Sequence, residues 1–427
     1  MKPSFIGTIL AALALASGAQ SSQAAGRLTV GGYGEAVYSR NFYSDSYLRY
    51  SDPVSKKGDN GNGRFDLPHV VIYLGYDFGK GWSMGTEIEF EHGGSESAVE
   101  IETEEAGEYE TEVERGGEVA IEQFWLQKSF LPQLNVRAGH IIVPVGQTNN
   151  HHMPTEFFGV YRPEGENTIM PCTWHETGLS LWGRVKLWND ESSLRYEAMV
   201  IPGLDSERFG NQTWIADGSA SPYEFKIGNA VAGAARVDFT PTRGIRLSLS
   251  GYVGNSFTNT LRETSNGKND GVKGTVSIGA FDFAVERGNL IVRGFADYGH
   301  LSNSAHISQF NRQMPNASPS PRQYVASDVY ALGLEAGYNV FGHSKKLTAD
   351  SQKLYVFGRY DNYDSMWKME SGTPNGWCGR QRVAVGLNYY PIKQIVVKGE
   401  YSIGLLSKPY NNEPAVSVGV AYAGFFL

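Results

Sequence analysis

The side chains with the clearest chemical capacity gather in one stretch, Gly146 to Thr173. It holds His151, His152, Glu156, Arg162, Glu164, Glu166 and Cys172, interleaved with three prolines and with Phe157 and Phe158. A histidine pair beside carboxylates invites an acid–base reading. A hydrolase, though, needs a nucleophile or activated water, a base and an orienting acid in mutual reach. No spacing here supplies that set, so no catalytic residue is assigned and no enzyme is expected. Prolines, aromatics and mixed charge suit an ordered loop packed against something. Neither cysteine has the spacing or neighbours of a metal site, and no metal or cofactor is expected. In an oxidising compartment Cys172 and Cys378 could pair as a disulfide; the alternative is two separate thiols.

A second set of charges recurs at alternate positions of amphipathic segments. Where Val383, Val385 and Leu387 face one side, Arg382 faces the other. The same alternation groups Arg137, Arg184, Lys186, Arg236, Arg246, Arg293, Arg359 and Lys398 with it. Glu35, Glu87, Glu89, Glu176, Asp238, Asp297, Asp361 and Glu400 fall on that side too. If the apolar face meets lipid, a basic residue there near the midplane costs about 2–4 kcal/mol, so these charges belong to an interior. Two roles are open to them: lining a passage, or a salt-bridge network that stiffens a wall.

The elements that must position both sets read as strands. Alternation predicts them over Leu28–Tyr38, Phe65–Phe78, Trp82–His92, Val119–Phe130, Leu134–Val145, Trp174–Trp188, Ser193–Ile201, Asn229–Phe239, Ile245–Asn255, Val272–Glu286, Asn289–Leu301, Asp328–Phe341, Lys353–Tyr363, Arg380–Tyr390, Gln394–Leu405 and Ala415–Leu427. Many are near the roughly 9–11 residues that a tilted membrane strand needs. Short turns near 79–81, 131–133, 189–191, 240–244, 287–289 and 391–393 alternate with long polar connections; only the one near 342–352 breaks the pattern. Short turns on one side and long loops on the other are the habit of a closed transmembrane barrel. The fold class expected is therefore all-β: an antiparallel barrel of about 16 strands, with its third long connection, Gly146–Thr173, folded inward. An edge strand of a soluble sandwich gives no reason for such alternation.

Composition agrees. There are 51 Gly among 427 residues, with 24 Tyr and 21 Phe; barrels use aromatics as interfacial girdles and Gly for bends. The net charge of −8 argues against nucleic acid as a partner. Most of it is local: Glu96 to Glu118 contains ten Glu and one Arg, and the remainder is near neutral. The alternation of Val99, Ile101, Thr103 and Tyr109, Thr111, Val113 suggests an external hairpin in that acidic stretch, against a plain solvated loop.

Lys2 and the short apolar run Phe5–Ala16, followed by small residues, read as a signal peptide over residues 1–25, with the barrel domain over 26–427. No Cys follows the leader, and no later run is apolar and long enough for a membrane helix. Strand one starts directly, which leaves no plug domain. The last strand sets Val416, Val418, Val420, Tyr422 and Phe426 on one face and Ser417, Gly419, Ala421 and Ala423 on the other. It resembles the closing strand of bacterial outer-membrane barrels, which also serves the barrel-assembly machinery as a signal. The expected location is the cell outer membrane, among its lipids and lipopolysaccharide.

The run Ala138-Gly139-His140-Ile141-Ile142-Val143-Pro144-Val145-Gly146, continuing through Tyr161-Arg162-Pro163-Glu164 to Glu176-Thr177-Gly178-Leu179-Ser180-Leu181-Trp182-Gly183, resembles the phosphate-selective porin O and P family. The match covers about 45 residues; elsewhere the likeness is architectural. It implies a homotrimer of water-filled channels passing small anions such as phosphate past basic pore residues. The inward loop here has one Arg and no Lys, so a modest anion preference is expected rather than strict phosphate selectivity. The alternatives are a structural or surface protein with a filled barrel, and a barrel hydrolase.

Overall fold

Alternating side chains on each strand divide between a lipid-like outer face and a crowded interior. On β16 (Ala415–Phe425), Val416, Val418 and Val420 are exposed while Ser417 and Ala421 are buried. A computed structural model describes residues 27–94, 100–101, 109–110, 117–221, 224–260, 267, 269–313 and 323–427. The leader, and most of the acidic segment, lie outside the described residues.

The main sheet closes on itself as a sixteen-strand antiparallel barrel among the described residues. β1 (Arg27–Asn41) pairs with β16, Gly31 opposite Phe425 and Asn41 opposite Ala415. β2 comes in two pieces, Asn62–Asp66 and His69–Gly79, which pair with the two halves of β1. The expected unbroken strand Phe65–Phe78 is thus interrupted at Leu67 and Pro68. Proline has no N–H to give the ladder. Then follow β3 (Trp82–Glu91), β4 (Glu118–Leu131), β5 (Leu134–Ile142), β6 (His175–Lys186), β7 (Ser193–Pro202) and β8 (Val231–Thr242). The circuit continues through β9 (Ile245–Asn255), β10 (Thr275–Arg287), β11 (Leu290–Leu301), β12 (Asp328–Asn339), β13 (Lys353–Lys368), β14 (Gly379–Ile392) and β15 (Ile395–Gly404). Each strand pairs with its sequence neighbours, so the topology is a simple meander.

Among the described residues three short helices interrupt the connections: α1 (Glu164–Ile169), α2 (Ser304–Asn311) and α3 (Lys345–Ala349). The last explains the irregular connection near 342–352, where the Ser344 hydroxyl accepts from Leu347 N–H and caps α3. In the acidic segment, Glu100–Ile101 pairs antiparallel with Tyr109–Glu110, a short ribbon of the expected kind.

The outer face carries Leu249 and Val253 on β9, Leu332 and Leu334 on β12, and Val385 and Leu387 on β14, all exposed. Aromatic pairs mark its two margins. Trp188 with Phe239 and Phe341 with Tyr389 sit at the short-turn end, and Trp367 with Tyr298 and Tyr330 at the long-loop end. Such bands fit the two interfaces of a membrane. No described helix is long and apolar enough to cross one.

The main apolar core lies inside the barrel. The 203–230 connection folds inward and buries Leu204, Phe209, Trp214 and Ile215 against small inward residues Ala232, Ala234, Ala280 and Ala331. Trp214 donates from Nε1 to Ala326 O at 3.0 Å and lies over Gly299, where any Cβ would meet its ring at 2.3 Å.

Candidate functional site

The third long connection begins where β5 stops at Ile142, three residues earlier than alternation suggests. Val143, Pro144 and Val145 turn away from the sheet and are buried. Gly146 has φ +82°, a backbone state that favours glycine, and a Cβ there would strike the Glu166 carboxylate at 2.6 Å. That carboxylate ties the base of the loop. It accepts from Gln147 N–H at 2.6 Å and from Thr148 N–H at 2.7 Å, and also from the Thr148 hydroxyl. Asn149 donates to Val145 O and Pro171 O and accepts from Trp174 N–H, so entry and exit are clasped together.

From that base the chain crosses the lumen. β13 stands opposite β5 in the ring, and the loop's tip reaches β12–β15. Phe158 N–H donates to Glu335 at 3.1 Å, and Val160 N–H to Glu400 at 2.9 Å. Lys398 Nζ donates to Phe157 O and Gly159 O at 3.1 and 2.7 Å. Asn388 donates to Phe158 O, and Arg359 to Tyr161 O, both at 3.0 Å. The Phe158 ring stacks on Phe357 beneath Tyr355, in a space that Gly337 leaves open. At its base Gly146 O accepts from Arg236 at 3.0 Å. Wall charges thus satisfy backbone groups that a buried loop would otherwise strand.

The basic residues that alternation turns inward divide by what they touch. Arg236, Arg359 and Lys398 are buried anchors of this loop. Arg382 reaches Glu164 at 3.5 Å, and so does Arg380, which the sequence pattern does not assign inward, at 3.4 Å. Burial would raise that carboxyl, but Arg382 and Arg380 outweigh it and hold it below the usual range. Arg293 pairs with Glu335 at 2.8 Å, and Arg246 with Asp282 at 2.9 Å. Arg137 stacks on Trp125 and donates to Gln127; Arg184 donates to Ser193. Lys186 is different. It sits highly exposed at the short-turn rim beside Asp190.

Within the loop, His151 pairs with Glu156 at 3.2 Å and His152 accepts no hydroxyl or thiol: its Nδ1 meets Asn149 O and its Nε2 lies 4.0 Å from Glu122. Burial lowers both imidazoles, with Arg246 and its neighbours acting on His151 and Arg162 on His152, which falls to about 3. Burial raises Glu156 to about 7 against the pull of Arg293 and Arg246. Among the described residues the ring nitrogens of these two histidines are hydrogen-bonded to Glu156 and to Asn149 O, and to no Ser, Thr or Cys. Arg162 is buried, donating from Nε to His152 O at 3.3 Å.

The cysteines are free thiols. Cys172 lies in the field of Glu166 and Arg162, whereas Cys378 packs with Met366 and Trp377 and points at Asn211 O. The 203–230 connection, which contributes Asn211, occupies the space beside Cys378, so the disulfide considered from sequence does not form.

Alternation turns Glu87 and Glu89 inward as expected, but misses two members of the wall facing Arg162, His69 and Glu122. His69, Glu87, Glu89, Glu91 and Glu122 share the inner face of β2–β4. His69 Nδ1 lies 2.7 Å from Glu89, and Tyr33 OH 3.5 Å from Glu122. Glu122 sits at a register shift between β3 and β4, where Glu87 pairs with Gln123 and Ile88 with Ile121. The extra residue turns Glu122 inward against simple parity. Pro68 hides where the second piece of β2 begins, so the sequence pattern does not single out His69 at its start.

No family model matches the chain. A protein of uncharacterised function from Aquifex aeolicus (strain VF5) is 26% identical over 380 residues, covering 88% of this chain and 75% of that one. Among solved structures, the outer membrane channel DcaP of Acinetobacter baumannii has a TM-score of 0.53 at 13% identity, covering 95% of this chain and 99% of that one. Salmonella typhi OmpF, in complex with daunomycin, gives 0.52 at 11%, covering 93% and 97%. The anion-selective porin from Comamonas acidovorans gives 0.51 at 11%, covering 93% and 100%. At these identities the likeness is one of fold: the barrel of outer-membrane porins.

Proposed function

We propose that this chain is an outer-membrane porin: a non-enzymatic, water-filled channel for small hydrophilic solutes, exported through a signal peptide over residues 1–25 and assembled as a homotrimer. The observation that carries this reading is the loop from 143 to 174. It spans the lumen and is bonded to the opposite wall through Lys398, Arg359, Glu335 and Glu400. A loop held at that depth sets the narrowest cross-section, and charges bordering the narrowest point govern which ions pass. The finer reading is a modest preference for anions, phosphate included, in keeping with the resemblance to the phosphate-selective porins. Its support is Arg137 and Arg184 near the short-turn ends of their strands, neither fully buried, with the neutral Gln127 and Ser193 as hydrogen-bond partners. The matched porin of Comamonas acidovorans is itself described as anion-selective.

A second reading has its own support. The inward packing of Phe209, Trp214 and α2 fills much of one sector, as in a filled surface barrel. Planar-bilayer recording of pure protein separates the two. Discrete conductance steps, with a reversal potential in a salt gradient that favours anions, are expected. Electrical silence would favour the filled barrel, and cation selectivity would leave a general porin. Deleting residues 153–162 should raise single-channel conductance at least about twofold if this loop is the constriction. Unchanged conductance from an intact barrel would remove the loop from the channel.

A further inference from the structure

We propose that His69, Glu89 and Glu91 form a binding site for a divalent transition-metal cation on the inner wall of β2 and β3. The register builds the site. His69 stands directly opposite Glu91, and Glu89 lies two residues along β3 on the same face. Nδ1 of His69 is 2.7 Å from Glu89 Oε1 and 4.0 Å from Glu91 Oε1, and the three ligand atoms lie within 4.8 Å of one another. With metal–ligand bonds of about 2.0–2.2 Å, ligand atoms of a tetrahedral shell stand roughly 3.4 Å apart, so His69 and Glu89 need only part slightly and Glu91 move slightly inward. Glu91, about a third exposed, has the freedom to make it.

A second observation points to a cation here. Glu122, on β4 beside this group, is completely buried, and its Oε1 has no hydrogen-bond partner. It stands in the field of Glu87, Glu89 and Glu91. A buried carboxylate oxygen without a donor is unfavourable unless positive charge stands near. The cationic groups and imidazoles near the cluster include Arg162 and His152 from the inward loop, His175 on β6, His92 paired with Asp66, and Arg137 near Glu87, with the carboxylates of Glu35 and Glu118 beside them. Among these Arg162 is the one guanidinium acting on Glu89 and Glu122 together, so four carboxylates outnumber the fixed charge opposite them.

The ligand set selects the metal class. One imidazole nitrogen with carboxylate oxygens suits Zn2+ and its first-row neighbours. Ca2+ takes six to eight oxygens and Mg2+ a near-octahedral oxygen shell, which a histidine-centred group does not provide. Across a hairpin His69 stands twenty positions from Glu89 and twenty-two from Glu91, so no short motif announces them. A bound ion would tie β2 to β3 and cancel charge on the acid-rich wall.

Folded protein in detergent, stripped with chelator, is titrated with ZnCl2 by calorimetry. One Zn2+ per chain is expected, with Mg2+ failing to displace it. Affinity should fall at least about tenfold in His69→Asn and in Glu91→Gln. Heat-modifiable gel mobility checks the fold, and Glu91→Gln, at a partly exposed position, carries the test if His69→Asn misfolds. Equal Zn2+ affinity in wild type and Glu91→Gln, no Zn2+ binding, or equal competition by Mg2+ would each overturn the site.

Discussion

Two walls of one lumen handle charge in opposite ways. Along β8–β15 Arg236, Arg246, Arg293, Arg359, Arg380 and Arg382 are each paired with a carboxylate, and Arg236, Arg359 and Lys398 also hold the loop. Arg236 contacts Asp238 and Asp282 at 2.7 and 2.8 Å, Arg293 contacts Glu335 at 2.8 Å, and Arg359 lies 3.1 Å from Asp361. The last contact is ionic rather than directional, since neither Arg359 Nε nor the Asp361 oxygens make a well-aligned hydrogen bond. Along β2–β4 carboxylates gather with little fixed positive charge. The first wall spends its charge on architecture. The second leaves charge for mobile cations or protons, so the count of inward arginines overstates what a passing ion would meet.

The largest expected effect breaks the structural wall. Arg236→Ala leaves Asp238 and the fully buried Asp282 short of a partner and frees Gly146 O. Removing one member of a buried ion pair costs about 3–5 kcal/mol. The midpoint for loss of the compact, heat-modifiable form should fall markedly, whereas Glu91→Gln should leave it within about 0.5 kcal/mol as a partly exposed site. Equal effects would erase the distinction between the walls.

The next effect tests how the loop's tip is seated. A Cβ at Gly337 would meet the Phe158 ring at 2.2 Å. Gly337→Val should cost about 1–3 kcal/mol by overpacking and raise conductance, because Phe158 must leave the wall. A stable variant with wild-type conductance would place the tip's hold in its polar anchors alone.

Much of this architecture was legible. Ile245–Asn255 is a strand to the residue, because a one-sided buried strand fixes a period of two. The inward loop was legible from its prolines and aromatics. Its anchors were not: Glu335, Lys398 and Glu400 come from strands 177 to 241 residues away in sequence. Of the acid-rich wall, Glu87 and Glu89 were legible by alternation on β3, but His69 and Glu122 were not, because Pro68 splits β2 and the irregularity at Glu122 reverses parity partway along β4. Alternation assigns a face correctly but says nothing about whether a charge there is paired.

A smaller effect sharpens the contrast in solution. Replacing Arg162 and Arg184 by Ala should move the reversal potential toward cations; Glu89→Gln with Glu91→Gln should move it toward anions. The two shifts should shrink as salt rises, since the Debye length is about 8 Å at physiological ionic strength. The acidic stretch at 96–118 should matter less than either pair. If both double variants shift the potential the same way, the two walls do not compete for ions.

The smallest effect is a pH dependence lodged in the loop itself. Burial raises Glu156 to about 7, although Arg293 and Arg246 pull it down. Below that value the carboxyl is neutral, and those arginines set the local field. Between pH 6 and pH 8 it passes from about one tenth to about nine tenths ionised, by the titration of a single group. Negative charge appears beside the arginines, so anion preference should weaken as pH rises. His151 and His152 are both held low by burial, and both stay uncharged through this window. His92, held above the usual imidazole range first by its hydrogen bond to Asp66, loses positive charge as pH rises and shifts selectivity in the same direction. Glu156→Gln separates the two. Reversal potentials recorded at pH 6 and pH 8 should differ in wild type and differ much less in the variant. An identical pH response in both would leave Glu156 outside the conducting path.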